Sequence, residues 1–215
     1  MEEIPGIKQI VRLARVDSTQ TAARKLAEEG APEWTLIWAE RQSAGRGRLG
    51  RKWDSGVGGL YFSLILRPQI APKRLAELSL ATADAVAQAV NDVTGLKTAV
   101  KPPNDVFAKA LGGEGRGQPG SDFKKVCGIL IEASGGAERV DWIVLGIGLN
   151  VNNKLPKTLK EASSLAALSG RTFDVGEVLR RVIEKFQRKF QAFLTASNGH
   201  IEGPVPPPQP ESGEA

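Results

Sequence analysis

Hydrophobic positions along the chain follow two periods. WTLIWAE (34–40) and LYFSLILRP (60–68) are short runs rich in aromatic and β-branched residues, the second bounded by Gly59 and Pro68, and both read as strands. KTAVK (97–101) is a third, shorter one. KVCGILIEAS (125–134) and RVDWIVLGIGLNV (139–151) are apolar strands joined by a Gly-Gly turn, which predicts a hairpin. The helical period appears in 72–94, where Leu75, Leu78, Leu80, Ala83, Val86 and Val90 recur before Gly95. It appears again in 174–194, where Val175, Val178, Leu179, Val182, Ile183, Phe186, Phe190 and Phe193 share one stripe. DSTQTAARKLAEEG (17–30) predicts a short helix capped by Asp17 or Ser18 and stopped at Gly30, and 161–168 a shorter one. This order favours hairpins over βαβ crossovers. The expected fold is α+β: a mixed, largely antiparallel sheet with helices packed on one face.

Between these elements lie glycine-rich stretches. Residues 41–59 hold six glycines and read as a long loop; 109–124 hold five and read as a surface loop. From Gly199 the chain has five prolines in 17 residues and almost no apolar mass. The expected organisation is one domain over 1–198 and a Pro-rich disordered tail over 199–215.

Composition narrows the chemistry. In 215 residues there is one Cys and one His, which excludes a disulfide framework, a Cys-rich zinc module and any His-based triad. No run approaches the roughly 20 apolar residues of a membrane helix, and the start, MEEIPGIKQI, is acidic, so the expected location is cytoplasmic with no membrane partner. The formal charge is +5, but three of the 24 acidic residues fall in 200–215, which holds no Lys or Arg. The preceding 199 residues therefore carry 29 basic against 21 acidic side chains, a net of +8 that calls for an anionic partner.

Three clusters carry candidate chemistry. In Gly45–Trp53 four cations and three glycines fall within nine residues. Glycines let backbone amides approach an anion, and guanidinium groups suit carboxylate and phosphate, so the segment is expected to order over an anion. Without a Gly-Lys-Ser/Thr it is no Walker loop, and it equally suits a basic turn or an Arg-Gly RNA-binding module, although Trp53 is its one stacking aromatic. Lys101-Pro102-Pro103-Asn104-Asp105 sets an amide and a carboxylate beside an ammonium group, suited to Mg²⁺, a ribose or a polar head, or to an ordinary Asx turn. Lys125 opens an apolar strand, where it snorkels to water or, at a pocket mouth, neutralises a phosphoryl group. Cys127, two residues on, has no base beside it and reads as core packing.

The order AERQSAGRGRLGRKWDSGVGGLYFSL, KPPNDVF, KKVCGILIE, DWIVLGIGLNVN resembles the catalytic domain of biotin–protein ligases over about residues 7–195. The resemblance implies the class II synthetase-like fold of that domain, standing without an N-terminal DNA-binding domain and without the C-terminal SH3-like domain. It implies an ATP-dependent, AMP-forming ligase that makes biotinyl-5′-adenylate and passes biotin to a lysine of a biotin carboxyl carrier protein. Ser18, Thr19, Gln42, Gly45, Arg46, Gly47, Arg48 and Lys125 would then contact biotin. Arg48, Arg51, Trp53, Asn104 and Asn150 would contact the nucleotide, with Trp53 on the adenine side. Lys125, Arg48 and Asp105 would be catalytic, and Asp105 would meet Mg²⁺. ATP and Mg²⁺ would be substrate and activating ion, with no tightly bound cofactor and no DNA partner, and a homodimer would be possible. Strands 60–67 and 125–133 would line the slot for the biotin rings. Pro102 stands where the family commonly has Trp. Related readings are a lipoate or octanoate ligase, which lacks the G-R-G-R-x-G-R-K-W loop, and a homologue that binds biotin with weak transfer.

Overall fold

A computed structural model describes residues 3–111 and 122–198; the expected tail and most of the 109–124 loop lie outside the described residues. Among the described residues seven strands form one sheet: β1 (Gln9–Leu13), β2 (Thr35–Ala39), β3 (Leu60–Leu66), β4 (Thr98–Lys101), β5 (Asp105–Lys109), β6 (Phe123–Gly135) and β7 (Val140–Leu149). Their order across the sheet is β1-β2-β3-β7-β6-β5-β4, with β1 and β2 parallel and every other pair antiparallel. The helices are α1 (Thr19–Glu28), α2 (Leu75–Thr94), α3 (Leu165–Ser169) and α4 (Val175–Asn198). The mixed, mostly antiparallel sheet is the one expected, and β6 and β7 form the expected hairpin.

Strand alternation divides the sheet into two faces. On one, Leu36, Leu64, Leu145 and Phe62 meet α2 and α4 in the main core. From Val178 onward the α4 stripe is buried there as its spacing predicts, with Val175 partly buried, and each fully buried side chain contributes roughly 1.5–3 kcal/mol. Trp34 adds a ring 5.6 Å from Phe190, edge on, and Phe190 stacks 5.4 Å from Phe186. Lys185 reaches Asp92 from α4 to α2 at 2.7 Å, and its hydrogen bond holds the exposed Asp92 carboxyl below its ordinary pKa.

The expectation of helices on a single face holds for α2 and α4 but not for α1. Ala23 and Ala27 of α1 pack on Ile37, Ile65 and Val144, which point to the opposite face. Its small residues let α1 lie close to the strands. Arg67, just past β3, donates from Nη2 to the carbonyls of Ala27 and Ala31 (2.9 and 3.0 Å), satisfying the end of α1 with a cation. Gly30 (φ 87°) and Gly95 (φ 74°) adopt the left-handed conformation that stops α1 and α2 where their positions predict.

β1 and β5 have no counterpart among the predicted elements. Both are five residues long, and β1 is a half-exposed edge without a clear alternation. The short helix expected at 161–168 begins later, at Leu165. Residues 161–163 instead run beside the start of β6, where Lys125 N–H donates to Glu161 O (2.8 Å) and Ser163 N–H to Lys125 O (3.0 Å). Ser164 then caps α3 by accepting from Ala167 N–H at 3.3 Å.

Candidate functional site

The α1 face of the sheet carries a cavity of about 260 Å³, walled by α1, the 42–53 loop, the start of β5, β6 and β7. Its floor follows from strand registry. Gly128 of β6 pairs with Gly148 of β7, and Leu130 with Gly146, so three of these four facing positions carry no side chain. The side chains omitted there make room over the strands for Trp53 and Gln20, which form the cavity floor together with the bare backbone. Trp53 lies over the glycine pair: a Cβ on Gly148 would stand 2.5 Å from its Nε1, and one on Gly128 would stand 2.9 Å from its Cζ3. Trp53 therefore sits against the sheet floor, and its indole N–H is buried without an acceptor among the described residues.

Lys125 reaches the same face through a bulge. Asp105 pairs with Gly128 and Val106 with Cys127, but the register then shifts so that Phe107 pairs with Lys125. Uninterrupted alternation from Gly128 would send Lys125 to the core side; the extra residue turns it to the side of Asp105. The result is a Lys125 Nζ–Asp105 Oδ1 ion pair of 2.7 Å, with Nζ 5.5 Å from the Trp53 ring centre. Cys127 is buried in the main core, and loss of hydration pushes its thiol pKa far up, which suits core packing and not nucleophilic chemistry.

The basic loop is anchored at several points. Arg46 makes a two-pronged contact with Glu132 of β6, Nη2 to Oε1 at 2.8 Å and Nη1 to Oε2 at 3.1 Å. Arg48 Nη1 donates to Asn104 Oδ1 at 3.0 Å, while Asn104 Nδ2 donates to the Ile129 carbonyl at 2.9 Å. Gly45 is pinned under the loop: its carbonyl accepts from Trp53 N–H at 2.9 Å, and a Cβ there would stand 2.5 Å from the Trp53 carbonyl. Leu49, at the tip, is 90% exposed in a left-handed conformation (φ 55°).

The inner end of the cavity is polar and uncharged. Gln42 Oε1 accepts from Thr19 N–H at 2.7 Å, so Gln42 serves the start of α1, a part expected of Asp17 or Ser18. Gln42 Nε2 in turn donates to Ser55 Oγ at 2.8 Å. Ser18 is 2% exposed, lines the cavity, and its hydroxyl has no partner among the described residues. Such a group calls for a ligand partner.

Most of the residues singled out in the sequence thus meet at one place. Ser18 and Gln42 lie at the inner end; Arg46, Gly47, Arg48, Arg51 and Trp53 come from the loop; Asn104, Asp105 and Lys125 come from β5, β6 and the turn before them. Thr19 stands one layer behind Gln42, and Gly45 beneath the loop. Asn150 lies off the cavity wall, buried, accepting from Asn153 Nδ2 at 3.0 Å. The slot is lined by β6 and β7, as expected of 125–133, while β3 (expected as the other wall) stays behind α1 and is not part of the lining. Gln20, Glu132 and the glycines of β7 escaped the sequence reading. The Gly146-Ile147-Gly148 repeat did signal them: alternate glycines on a buried strand bare one face.

Among the lining side chains five cations, Arg46, Arg48, Arg51, Lys52 and Lys125, stand against one carboxylate, Asp105. A polar uncharged inner end, an apolar glycine floor and a cationic mouth suit a ligand with a neutral polar head, an apolar body and an anionic end.

The chain is 37% identical over 185 residues to the bifunctional ligase/repressor BirA of Bacillus subtilis, covering 84% of this chain and 53% of that protein. It is 30% identical over 198 residues to the biotin–[acetyl-CoA-carboxylase] ligase of Mycobacterium tuberculosis, covering 89% and 68%. The Aquifex aeolicus biotin protein ligase, solved in complex with biotin and ATP, superposes with a TM-score of 0.71 at 35% identity over 88% of this chain and 73% of that one. The chain spans about half the length of BirA from Bacillus subtilis and of the Paracoccus denitrificans biotin–[acetyl-CoA-carboxylase] ligase, 53% in each case. The profile of the Biotin/lipoate A/B protein ligase family matches residues 13–150, and the chain belongs to that family.

Proposed function

We propose that this chain activates biotin with ATP and transfers it to a lysine of a biotin carboxyl carrier domain. The observation that carries the reading is the gradient along one cavity: an unpartnered, buried Ser18 hydroxyl at the inner end and Arg46, Arg48 and Lys125 at the mouth. Biotin has a neutral ureido head, an apolar bicyclic body and a carboxylate tail, in that order.

The tail carboxylate attacks the α-phosphorus of ATP; a P–O bond forms, the bond to pyrophosphate breaks, and a mixed anhydride results. No general base is needed because the nucleophile is already ionised, and among the described residues no His lines the cavity. Two anions must approach in line, and Lys125 and Arg48 neutralise charge between them. The carrier lysine amine then attacks the acyl carbon and AMP leaves. Arg46 and the loop exclude water from the anhydride meanwhile.

A divalent ion fits as a companion of the nucleotide. Among the described residues no three His, Cys, Asp or Glu side chains gather, so Asp105 is the carboxylate of the cavity that would meet an ion arriving on the phosphates. When bound, the ion supplies further neutralisation at the transferring phosphorus. Asp105 also positions Lys125.

The test is biotin-dependent exchange of labelled pyrophosphate into ATP, followed by transfer to a carrier domain. Exchange with biotin and transfer are expected. Absence of exchange at saturating biotin, Mg²⁺ and ATP, or exchange supported by lipoate or octanoate in its place, overturns the reading.

A further inference from the structure

Gln20 lies in the first turn of α1 and is 3% exposed, yet it lines the cavity. Its amide is held at both ends. Nε2 donates to the Val144 carbonyl of β7 at 3.0 Å, and Ser63 Oγ of β3 stands 3.1 Å from Oε1. Thr19 Oγ1 is 3.0 Å from the same Ser63 hydroxyl. Ser63 O–H faces both oxygens, Thr19 Oγ1 and Gln20 Oε1, while Thr19 O–H donates to Gln42 Oε1 at 3.2 Å. Gln20 is thereby held at Val144 through Nε2 and at Ser63 through Oε1. The fixed oxygen occupies the space over Gly146, so close that a Cβ on Gly146 would overlap it. The floor of the cavity is therefore not bare at its inner end: Gln20 fills the gap that Gly146 opens, whereas the gap over Gly128 and Gly148 is left to Trp53.

We infer that Gln20 is a specificity-determining residue, a fixed stop over Gly146 that sets how large a head group the inner end of the cavity accepts. This rests on the biotin reading above and adds what it leaves open, namely what limits the head group. A side chain free to swing would yield to a larger ligand. Gln20 cannot do so without breaking a buried amide contact to Val144 and the contact with Ser63, and a buried amide left unpaired is costly. One added methyl at a tight wall changes discrimination by roughly 10- to 200-fold.

The experiment compares biotin with two analogues, one methylated on the ureido ring and one lengthened by a methylene in the carboxylate chain. Pyrophosphate exchange is measured for the wild-type chain, Gln20→Ala and Gln20→Ser. The wild-type chain is expected to reject the ring-methylated analogue at least about tenfold more strongly than the lengthened one, because only the former meets the stop. In Gln20→Ala and Gln20→Ser the kcat/KM ratio of biotin to the ring-methylated analogue is expected to fall about tenfold or more, while the ratio to the lengthened analogue stays within about threefold. A merely structural role would lower all three substrates together and leave both ratios unchanged. That result overturns the inference, as does a wild-type chain that uses the ring-methylated analogue as readily as biotin, which needs no variant to fold. Failure of wild-type exchange with biotin itself is a different outcome and removes the functional reading along with this one.

Discussion

Lys125 and Asp105 stand 2.7 Å apart on one face of the sheet only because β6 carries an extra residue between their positions. In the proposed reaction the pair joins Lys125, which would meet the phosphoryl group, to Asp105, the one carboxylate that lines the cavity. Lys125→Ala removes a preorganised donor, so adenylate formation is expected to fall at least about a hundredfold. Biotin binding measured by calorimetry without ATP should change far less. Wild-type exchange rates in the variant remove Lys125 from the reaction.

Glu132 restrains the loop through Arg46. The pair is partly exposed and worth about 1 kcal/mol or less. Glu132→Gln is therefore expected to raise protease cleavage within 45–52 about two- to fivefold, and biotin with ATP should restore protection. Equal cleavage in both proteins means the pair does not hold the loop.

Gly148→Ala places a methyl where the Trp53 indole lies. Overpacking of this kind costs about 1–3 kcal/mol, and the ring must lift from the floor. Biotin affinity is expected to drop about tenfold or more, with tryptophan emission shifted to the red. Unaltered affinity separates Trp53 from the binding slot.

Phe190 belongs to the opposite face, between Trp34 and Phe186. Phe190→Ala should cost about 3–5 kcal/mol of unfolding free energy, read from denaturant midpoints. Below the melting range, biotin affinity should stay within about twofold, because Phe190 does not itself line the cavity. A parallel loss of affinity would show that the two faces are coupled.

How much of this was legible in the sequence depends on the kind of signal. The α4 stripe and the seven buried residues of β3 are long patterns that local chemistry decides, and they fold as read. The site loop was legible because charge and glycine are dense there. What escaped reading depended on register. No pattern in KKVCGILIE reveals that a bulge sends Lys125 to the site face. Nothing local tells that Gln42 would cap α1, since its partner Thr19 lies 23 positions away. Placing every helix on one face failed for a related reason: α1 is short and rich in alanine, and only the alternation of Ile37 and Ile65 against Leu36 and Leu64 decides which side it takes.

The glycine row of β6 and β7 has a thermal consequence. A packed interior normally comes from the chain alone, but at Gly128, Gly146 and Gly148 the chain withholds side chains from its own sheet. Trp53 and Gln20 fill those gaps, and a molecule seated in the cavity they border supplies further van der Waals surface and acts as a second, removable core. Resistance to unfolding then becomes a property of the ligand's concentration as well as of the polypeptide, rising with the logarithm of its excess over Kd.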